Sequence, residues 1–252
     1  MRPVIRRLYF KCIEAIFFSG RGGLENADAA LRYFPISDAI REIGPPSPLI
    51  LEVGSGCTGI TPYIPYRITG VDVSFDGEIS PNLNPVHLSG ECLPFEDSSF
   101  DYVVSVDMLE HVAHERRPTV IRELLRVARK KIFLAVPCGK DSEKHDRLLN
   151  NYYTARHREP YPFLAEHVKN GLPREEEIID LIRQNALAMG KEAEVRVLRN
   201  VNLSVRKWFT RLWIRSPKAY GLLSPFICIF HRFYNFGSCY RLIFVVEIDA
   251  SA

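Results

Sequence analysis

The sequence lacks the cysteine patterns that mark a metal site or a disulfide framework. Its six cysteines are scattered along the chain, and no two of them form a CxxC pair. Their spacing fits neither a zinc ligand set nor a small domain held together by disulfides. A reducing compartment is the simplest interpretation.

Long apolar runs are also missing. The longest one near the C-terminus, Ala219 to Phe230, is too short to span a bilayer and contains Pro225. The N-terminal segment MRPVIRRLYFKCIEAIFFSG carries Lys11 and Glu14 within its apolar stretch and has no small-residue cleavage site, so we do not expect a signal peptide. Residues 1–18 predict an amphipathic helix, and packing on the domain edge is favoured over a membrane surface.

Acidic residues are absent between Glu194 and Glu247, although the whole chain has a formal net charge of only +3. This concentration of positive charge favours a local anionic partner over a generally basic protein. We expect a cytoplasmic protein that can also bind peripherally to a membrane. The basic residues of this stretch are Arg196, Arg199, Arg206, Lys207, Arg211, Arg215, Lys218, Arg232 and Arg241.

What the sequence does contain is enough apolar material for one large α/β domain. Apolar residues make up 46% of the 252, and charged residues 25%, which is ordinary for a globular protein. Strand and helix patterns alternate, and this predicts a doubly wound sheet with helices on both faces. Strands are predicted at 49–53, 67–73, 86–88, 101–106, 131–137, 195–200 and 240–248. Helices are predicted at 26–43, 117–130 and 174–189, with a partly helical loop region at 139–173.

The first motif is a glycine loop, EVGSGCTG, running from Glu52 to Gly59. Gly54 and Gly56 allow a sharp turn after the first strand and let a ligand lie against bare backbone. A helix beginning near Gly59 would direct free N–H groups at that ligand. The three glycines also match GxGxxG, so an NAD(P)- or FAD-dependent oxidoreductase is an alternative. Glu52 counts against it, because a carboxylate is a poor neighbour for a pyrophosphate but tolerates a sulfonium cation.

Two further motifs follow in order. GVDVS at 70–74 places Asp72 at the end of the second strand, where a carboxylate can either accept both hydroxyls of an adenosine ribose or, as a surface residue, cap the next segment. LPFEDSSFDYVVSVDMLEHV at 93–112, together with these motifs, resembles the methyltransferase type 11 group of the S-adenosylmethionine-binding superfamily. The resemblance covers about residues 48–137. It implies a seven-stranded, mostly parallel, Rossmann-like methyltransferase fold whose last strand is antiparallel.

The resemblance also implies where the cofactor binds. The glycine loop would line the methionine end, the acid after the second strand would hold the ribose, and the segment before LPF would contact the adenine. The residues implied are Glu52, Gly54, Ser55, Gly56, Asp72, Val73, Gly90, Glu91, Cys92, Leu93, Asp107 and Met108. Two positions depart from the pattern: Thr58 stands at the third loop glycine, and Ser89 at the usual adenine-binding aspartate.

His111 is the one catalytic candidate. In methyltransferases with LEHV-type segments this histidine lies near the transferable methyl group, where it could deprotonate a hydroxyl. A purely structural role is the favoured alternative, because methyl transfer often needs only positioning. Asp107, Glu110 and His111 are similar to the acidic–acidic–histidine metal site of quinone-pathway O-methyltransferases, but we expect no metal.

Two insertions are expected on the acceptor side. The first, 139–173, resembles the insertion of bacterial methyltransferases of glycan or lipid-linked saccharide synthesis. Its candidate substrate contacts are His145, Tyr152, Tyr153, His157 and His167. The second, 203–238, contains the aromatic and basic run 208–236, which favours a membrane surface or a lipid-like substrate over a lid. Nucleic acid is disfavoured, since its apolar runs are poor stacking platforms.

We therefore predict a helical leader at 1–45 and a methyltransferase domain at 46–252. The expected reaction is in-line methyl transfer from S-adenosylmethionine to a small-molecule, lipid-linked or glycan acceptor. The alternatives are the oxidoreductase and a non-catalytic protein of the same fold that binds a membrane, through 1–18 and 208–236, or another partner.

Overall fold

The computed structural model describes residues 26–43 and 47–249. The predicted helix at 1–18 lies outside them. Seven strands form one sheet in the order β3-β2-β1-β4-β5-β7-β6. Strands β1 to β5 pair in parallel with one another, whereas β7 runs antiparallel to both β5 and β6. The strands are β1 Ile50–Val53, β2 Ile68–Asp72, β3 Leu83–His87, β4 Phe100–Val106, β5 Ala128–Pro137, β6 Glu192–Asn202 and β7 Cys239–Asp249.

Seven α-helices surround the sheet in the described part of the chain. They are α1 Ala27–Ile43, α2 Arg117–Val127, α3 Gly139–His157, α4 Pro162–Asn170, α5 Glu175–Ala188, α6 Leu203–Arg215 and α7 Pro217–Ile229. Short 3-10 helices occur at Leu109–His111, His114–Arg116 and His231–Tyr234. The predicted doubly wound, mostly parallel fold with an antiparallel last strand is confirmed.

The two faces of the sheet bury separate apolar clusters. Side chains alternate along β4, so that Tyr102, Val104 and Val106 pack on one face and Val103 on the other. Helices α1, α6 and α7 cover the first face, and α2 and α5 cover the second. The leader helix predicted at 26–43 is thus part of this packing, while a domain boundary at residue 45 stays a prediction.

The prediction of a helix after the glycine loop is wrong. Residues 54–66 form a series of turns and bends instead. Pro62 and Pro65 explain the difference, because a proline inside a helix removes a hydrogen bond and clashes with the preceding turn. The backbone N–H of Ile60 is taken by the Glu52 side chain at 2.7 Å, rather than pointing at a ligand.

The two insertions are more regular than their sequences indicate. Residues 139–173 contain α3 and α4, separated at Arg158, which has a left-handed φ of +68°, and by Pro160. Residues 203–238 contain α6, α7 and a 3-10 helix. Both insertions pack at the carboxyl ends of the strands, where α3 contacts both α4 and α6. This is the edge at which ligands bind in open α/β sheets.

Candidate functional site

Gly54, Gly56 and Gly90 form a surface, called the shelf below, beyond the carboxyl ends of β1 and β4. Gly54 follows β1 with a φ of +83°, and a Cβ built on it would lie 2.6 Å from Cβ of Met108. A Cβ on Gly90 would lie 2.8 Å from Cγ1 of Val53 and 3.7 Å from Cε of the same methionine. Gly56, with φ +52°, has nothing within 4 Å of a Cβ position. The shelf therefore brings together the glycine loop, the LPF segment and the end of β4, as the resemblance implies.

Asp72 closes one end of this shelf. Its carboxylate accepts hydrogen bonds from the backbone N–H groups of Gly56, at 2.7 Å, and Ser74, at 3.1 Å. The side chain is half-buried, so free lone pairs remain for a ligand. An adenosine ribose fits this arrangement, because open backbone lies beside an anchored carboxylate.

Glu52 does not face the shelf. It is fully buried, and its two oxygens accept hydrogen bonds from the Tyr33 hydroxyl, at 2.8 Å, and the Ile60 N–H, at 2.7 Å. A Cβ on Gly59 would overlap one of these oxygens. Glu52 thus joins α1 to the glycine loop from below. Burial raises its pKa to about 7 and Asp72 adds to the rise, while the two hydrogen bonds oppose it.

Because the Glu52 carboxyl is buried, we predict that the free energy of unfolding falls as the pH rises. Its folded pKa of about 7 lies above the 4.5 of an unperturbed glutamate, so the folded state binds more protons between these two pH values. The free energy of unfolding should decrease by up to about 3 kcal/mol between pH 4.5 and 7 from this group alone. Urea unfolding of the Glu52→Gln variant should lack that part of the decrease. An identical pH dependence in the variant and the original protein would contradict it.

The residues predicted to contact the adenine lie in different environments. Val73 is 66% exposed beside Asp72, and Cys92 is exposed as well. Glu91 pairs with Arg116 at 3.1 Å. Leu93 has its side chain in the core, and its N–H donates to Glu123 at 2.9 Å. The Leu93 side chain is therefore part of the packing under the shelf. Ser55 is buried as well.

Asp107 and Met108 face different parts of the site. Asp107 has a left-handed φ of +50°, which aspartate tolerates better than most residues. Its carboxylate is held bidentately by Arg241, and Arg32 lies at 3.2 Å. Burial opposes ionisation, but the two arginines outweigh it and hold the pKa of Asp107 below its usual value. The Asp107 side chain is thus turned away from the shelf, whereas the Met108 side chain packs against Gly54 and Gly90 of the shelf.

A cavity of about 430 Å³ lies on the far side of Asp107. Its walls come from α1, α3, α4, α6 and α7, the turn after β4, and the ends of β6 and β7. Tyr153, Tyr161 and Trp213 form an aromatic cluster in it, with ring centroids 5.1 to 6.3 Å apart. The sequence did not assign Tyr161, Trp213, Arg32 or Arg241 to the acceptor site. A lone arginine in the apolar strand at 240–248 was the available signal for Arg241.

The other predicted substrate contacts divide between the cavity and its surroundings. Tyr153 and His167 line the cavity. His157 stacks on Tyr153 with ring centroids 4.3 Å apart, and Tyr152 lies under Arg211. His145 is buried, and its Nδ1 lies 3.7 Å from Asp146. Only the first two are therefore placed to touch an acceptor directly.

His111 also lines the cavity. Its Nδ1 lies 2.6 Å from a carboxylate oxygen of Glu166, and its ring is 4.9 Å from that of His167. Burial lowers the pKa of His111, although Glu166 opposes this effect. The adjacent Glu110 is fully buried, and burial together with Asp107 raises its pKa well above the usual value. His111 is thus placed for a role on the acceptor side.

Comparison with known proteins finds a family match within the chain. Residues 51–136, about a third of the chain, match the family described as "Methyltransferase domain". The matched residues include the glycine loop, Asp72 and the LPF segment. No curated protein sequence matches the chain significantly. The family match favours a methyl donor over the NAD(P) or FAD alternative and over a non-catalytic protein.

Solved structures share the fold at low sequence identity. A candidate methyltransferase from an antibiotic biosynthesis pathway of Anabaena variabilis is 18% identical, with a TM-score of 0.52 over 85% of this chain and 98% of that one. The plantazolicin methyltransferase BpumL, in complex with a substrate analogue and S-adenosylhomocysteine, is 10% identical, with a TM-score of 0.55 over 99% and 92%. A geranyl diphosphate methyltransferase in complex with S-adenosylmethionine is 12% identical, with a TM-score of 0.52 over 87% and 84%. Residues 51–136 thus match the methyltransferase domain family, and the chain as a whole shares the Rossmann-like fold of S-adenosylmethionine-dependent methyltransferases.

Proposed function

We propose that this enzyme transfers the methyl group of S-adenosylmethionine to a small organic acceptor with a flat, apolar body. The observation that carries the proposal is the aromatic cavity beside Asp107. Its volume of about 430 Å³ lies within the ~300–1,000 Å³ usual for small-molecule sites. Tyr153, Tyr161 and Trp213 offer faces and edges on which an aromatic or isoprenoid group can pack. Among small-molecule, lipid-linked and glycan acceptors, such walls favour the first two.

The donor would lie on the shelf. Asp72 would hold the ribose hydroxyls, Val73 and Gly90 would flank the adenine, and Gly54 and Gly56 would lie against the methionine part. Asp107 and Met108 are consecutive residues, one facing the cavity and one facing the shelf, so donor and acceptor would meet at this point. The sulfonium activates the methyl group by itself, and the protein supplies alignment and exclusion of water.

The experiment is transfer of a labelled methyl group from S-adenosylmethionine to aromatic, isoprenoid and sugar-containing extracts, with mass identification of the product. We expect the labelled product to have an aromatic or isoprenoid body. A Trp213→Ala variant should raise the KM for this acceptor and leave S-adenosylhomocysteine binding unchanged, because Trp213 lies in the cavity and away from the shelf. Label found only on sugars, or a KM unaffected by Trp213→Ala, would contradict the acceptor assignment.

We further propose that the basic, aromatic segment 208–236 binds an anionic membrane surface. Among the described residues, seven of the fifteen exposed large apolar side chains lie in this segment, and Phe233 is 75% exposed. Exposed basic residues accompany them, namely Arg211, Arg215, Lys218 and Arg232. Apolar rings with basic side chains at headgroup level suit an interfacial element. No helix in the described ranges is long and apolar enough to cross a bilayer.

Vesicle flotation tests the membrane proposal. The protein should float with vesicles containing an anionic phospholipid and much less with neutral ones. Trp208→Ser and Phe233→Ser should each weaken binding about tenfold, because each removes one exposed aromatic side chain that would enter the lipid interface. Leu187→Ser is the matched control, since Leu187 is 80% exposed but lies on α5. Equal effects of all three, or no flotation, would refute the proposal. Removal of residues 1–18 tests their separate contribution.

A further inference from the structure

Three side chains with metal-binding groups meet in the wall of the cavity. Glu110 and His111 lie in the 3-10 helix after β4, and His167 comes from α4. One ligand atom of each lies within 4.8 Å of the others. Nε2 of His167 and Oε1 of Glu110 are 3.8 Å apart, close to the ~3.4 Å that separates two ligands of a tetrahedral ion. Small side-chain adjustments would therefore bring all three onto one cation.

Each histidine has a carboxylate at its Nδ1. Nδ1 of His167 lies 2.8 Å from Asp146, and Nδ1 of His111 lies 2.6 Å from Glu166. An ionised carboxylate can only accept, so it fixes the proton on Nδ1 and leaves a lone pair on Nε2. This carboxylate–histidine arrangement orients most protein histidines that bind a metal.

The buried polar atoms of the cluster are otherwise unsatisfied. Neither oxygen of Glu110 has a hydrogen-bond partner among the described residues, and neither does Nε2 of His167. Glu110 is fully buried and His167 nearly so. Leaving such groups without a partner costs about 1–3 kcal/mol each, and more for a charge. One cation would satisfy all three atoms together.

Asp107 is not part of this set. Both of its oxygens are held by Arg241, and Arg32 lies against one of them. The ligand set is therefore different from the acidic–acidic–histidine triplet in the sequence at 107–111, since the third ligand comes from the insertion.

We propose that Glu110, His111 and His167 bind one divalent transition-metal ion of the Zn²⁺ type, with its remaining positions open to the cavity. Two histidines and one carboxylate with an open position are typical of catalytic zinc and of non-haem iron sites. Such an ion would polarise a hydroxyl bound in the cavity and lower its pKa, and His111 would act as a ligand. Binding of the ion does not depend on the acceptor proposed above.

The test is metal binding by the full chain, after chelator treatment, measured by calorimetry with Zn²⁺ and by visible absorption with Co²⁺. We expect one ion per chain. Glu110→Gln and His167→Gln should each weaken binding by at least tenfold, and Glu166→Gln by about 10–100-fold. Glu166 has an exposed side chain, so this variant tests the site without threatening the fold. His114→Gln is the control, because His114 is an exposed histidine near a single carboxylate, Glu177, at 3.3 Å.

Two results would overturn the proposed metal site. Absence of Zn²⁺ and Co²⁺ binding to the unaltered chain would overturn the proposal, and Glu110 would then be a buried neutral acid. Unchanged affinity in Glu166→Gln and in the folded Glu110→Gln variant would place any bound ion elsewhere and overturn it as well. Circular dichroism identifies variants that have failed to fold, and for those Glu166→Gln decides.

Discussion

Replacing Asp72 by alanine is expected to weaken S-adenosylhomocysteine binding about 100-fold, which corresponds to about 3 kcal/mol. Hydrogen bonds from ribose hydroxyls to a carboxylate are charge-assisted, and alanine removes both acceptor oxygens. The same carboxylate anchors the N–H groups of Gly56 and Ser74, so the variant also loosens the loop that faces the cofactor. Isothermal calorimetry at constant salt measures the loss directly.

Two controls separate cofactor contact from loss of structure. Asp76→Ala removes an exposed aspartate from the same loop, where its partner is the Ser74 hydroxyl, and should leave affinity unchanged. Asp72→Asn keeps one carbonyl acceptor and should have an intermediate affinity. If Asp72→Ala binds S-adenosylhomocysteine as tightly as the unaltered chain, Asp72 does not hold the ribose.

Replacing Gly54 by alanine should lower both stability and cofactor affinity. The new Cβ would lie 2.6 Å from Cβ and Cγ of Met108, closer than real carbon atoms approach, and φ at this position is +83°. Strain at a positive φ costs about 1 kcal/mol, and overpacking adds about 1–3 kcal/mol. Met108 must move, and we predict that it closes the shelf. Thermal unfolding and calorimetry should therefore show a Tm several degrees lower and binding at least tenfold weaker.

Matched glycines isolate the steric part of this effect. Gly190, with φ +66° and open space around its Cβ position, lies far from the shelf, so Gly190→Ala should cost only the backbone strain. Gly56→Ala should lose the same stability as Gly190→Ala, because nothing lies within 4 Å of its Cβ either. It should nevertheless weaken S-adenosylhomocysteine binding, since the cofactor would occupy that space. Equal cofactor affinity in all three variants would contradict the placement of the shelf.

The donor side of the site could be predicted from the sequence because its determinants are local. A glycine loop after an apolar strand, an acid at the end of the next strand and LPF before the fourth strand each depend on a few adjacent residues. The sheet brings these ends together whatever their side chains contact. The structural role of Glu52, which links α1 to the glycine loop, could not be predicted in this way. Its burial depends on Tyr33 in α1 and on the turns that form after the loop, where Pro62 and Pro65 prevent the expected helix.

The acceptor side depends on long-range contacts that no local pattern encodes. Arg241 and Asp107 are 134 positions apart, and His167 reaches Glu110 only because α4 packs on the turn after β4. The aromatic cluster joins α3 and α6, whose sequences indicate only a polar loop region and a basic insertion. His111 was predicted as a candidate from its position after β4, and its partner Glu166 became visible only in the fold.

The central claim is that this site binds S-adenosylmethionine rather than a dinucleotide. The most direct measurement is calorimetric titration of the purified chain with S-adenosylhomocysteine, NADH and NADPH under identical conditions. We predict saturable binding of one S-adenosylhomocysteine per chain and no heat of binding from either dinucleotide. Saturable binding of NADH or NADPH without binding of S-adenosylhomocysteine would contradict the claim.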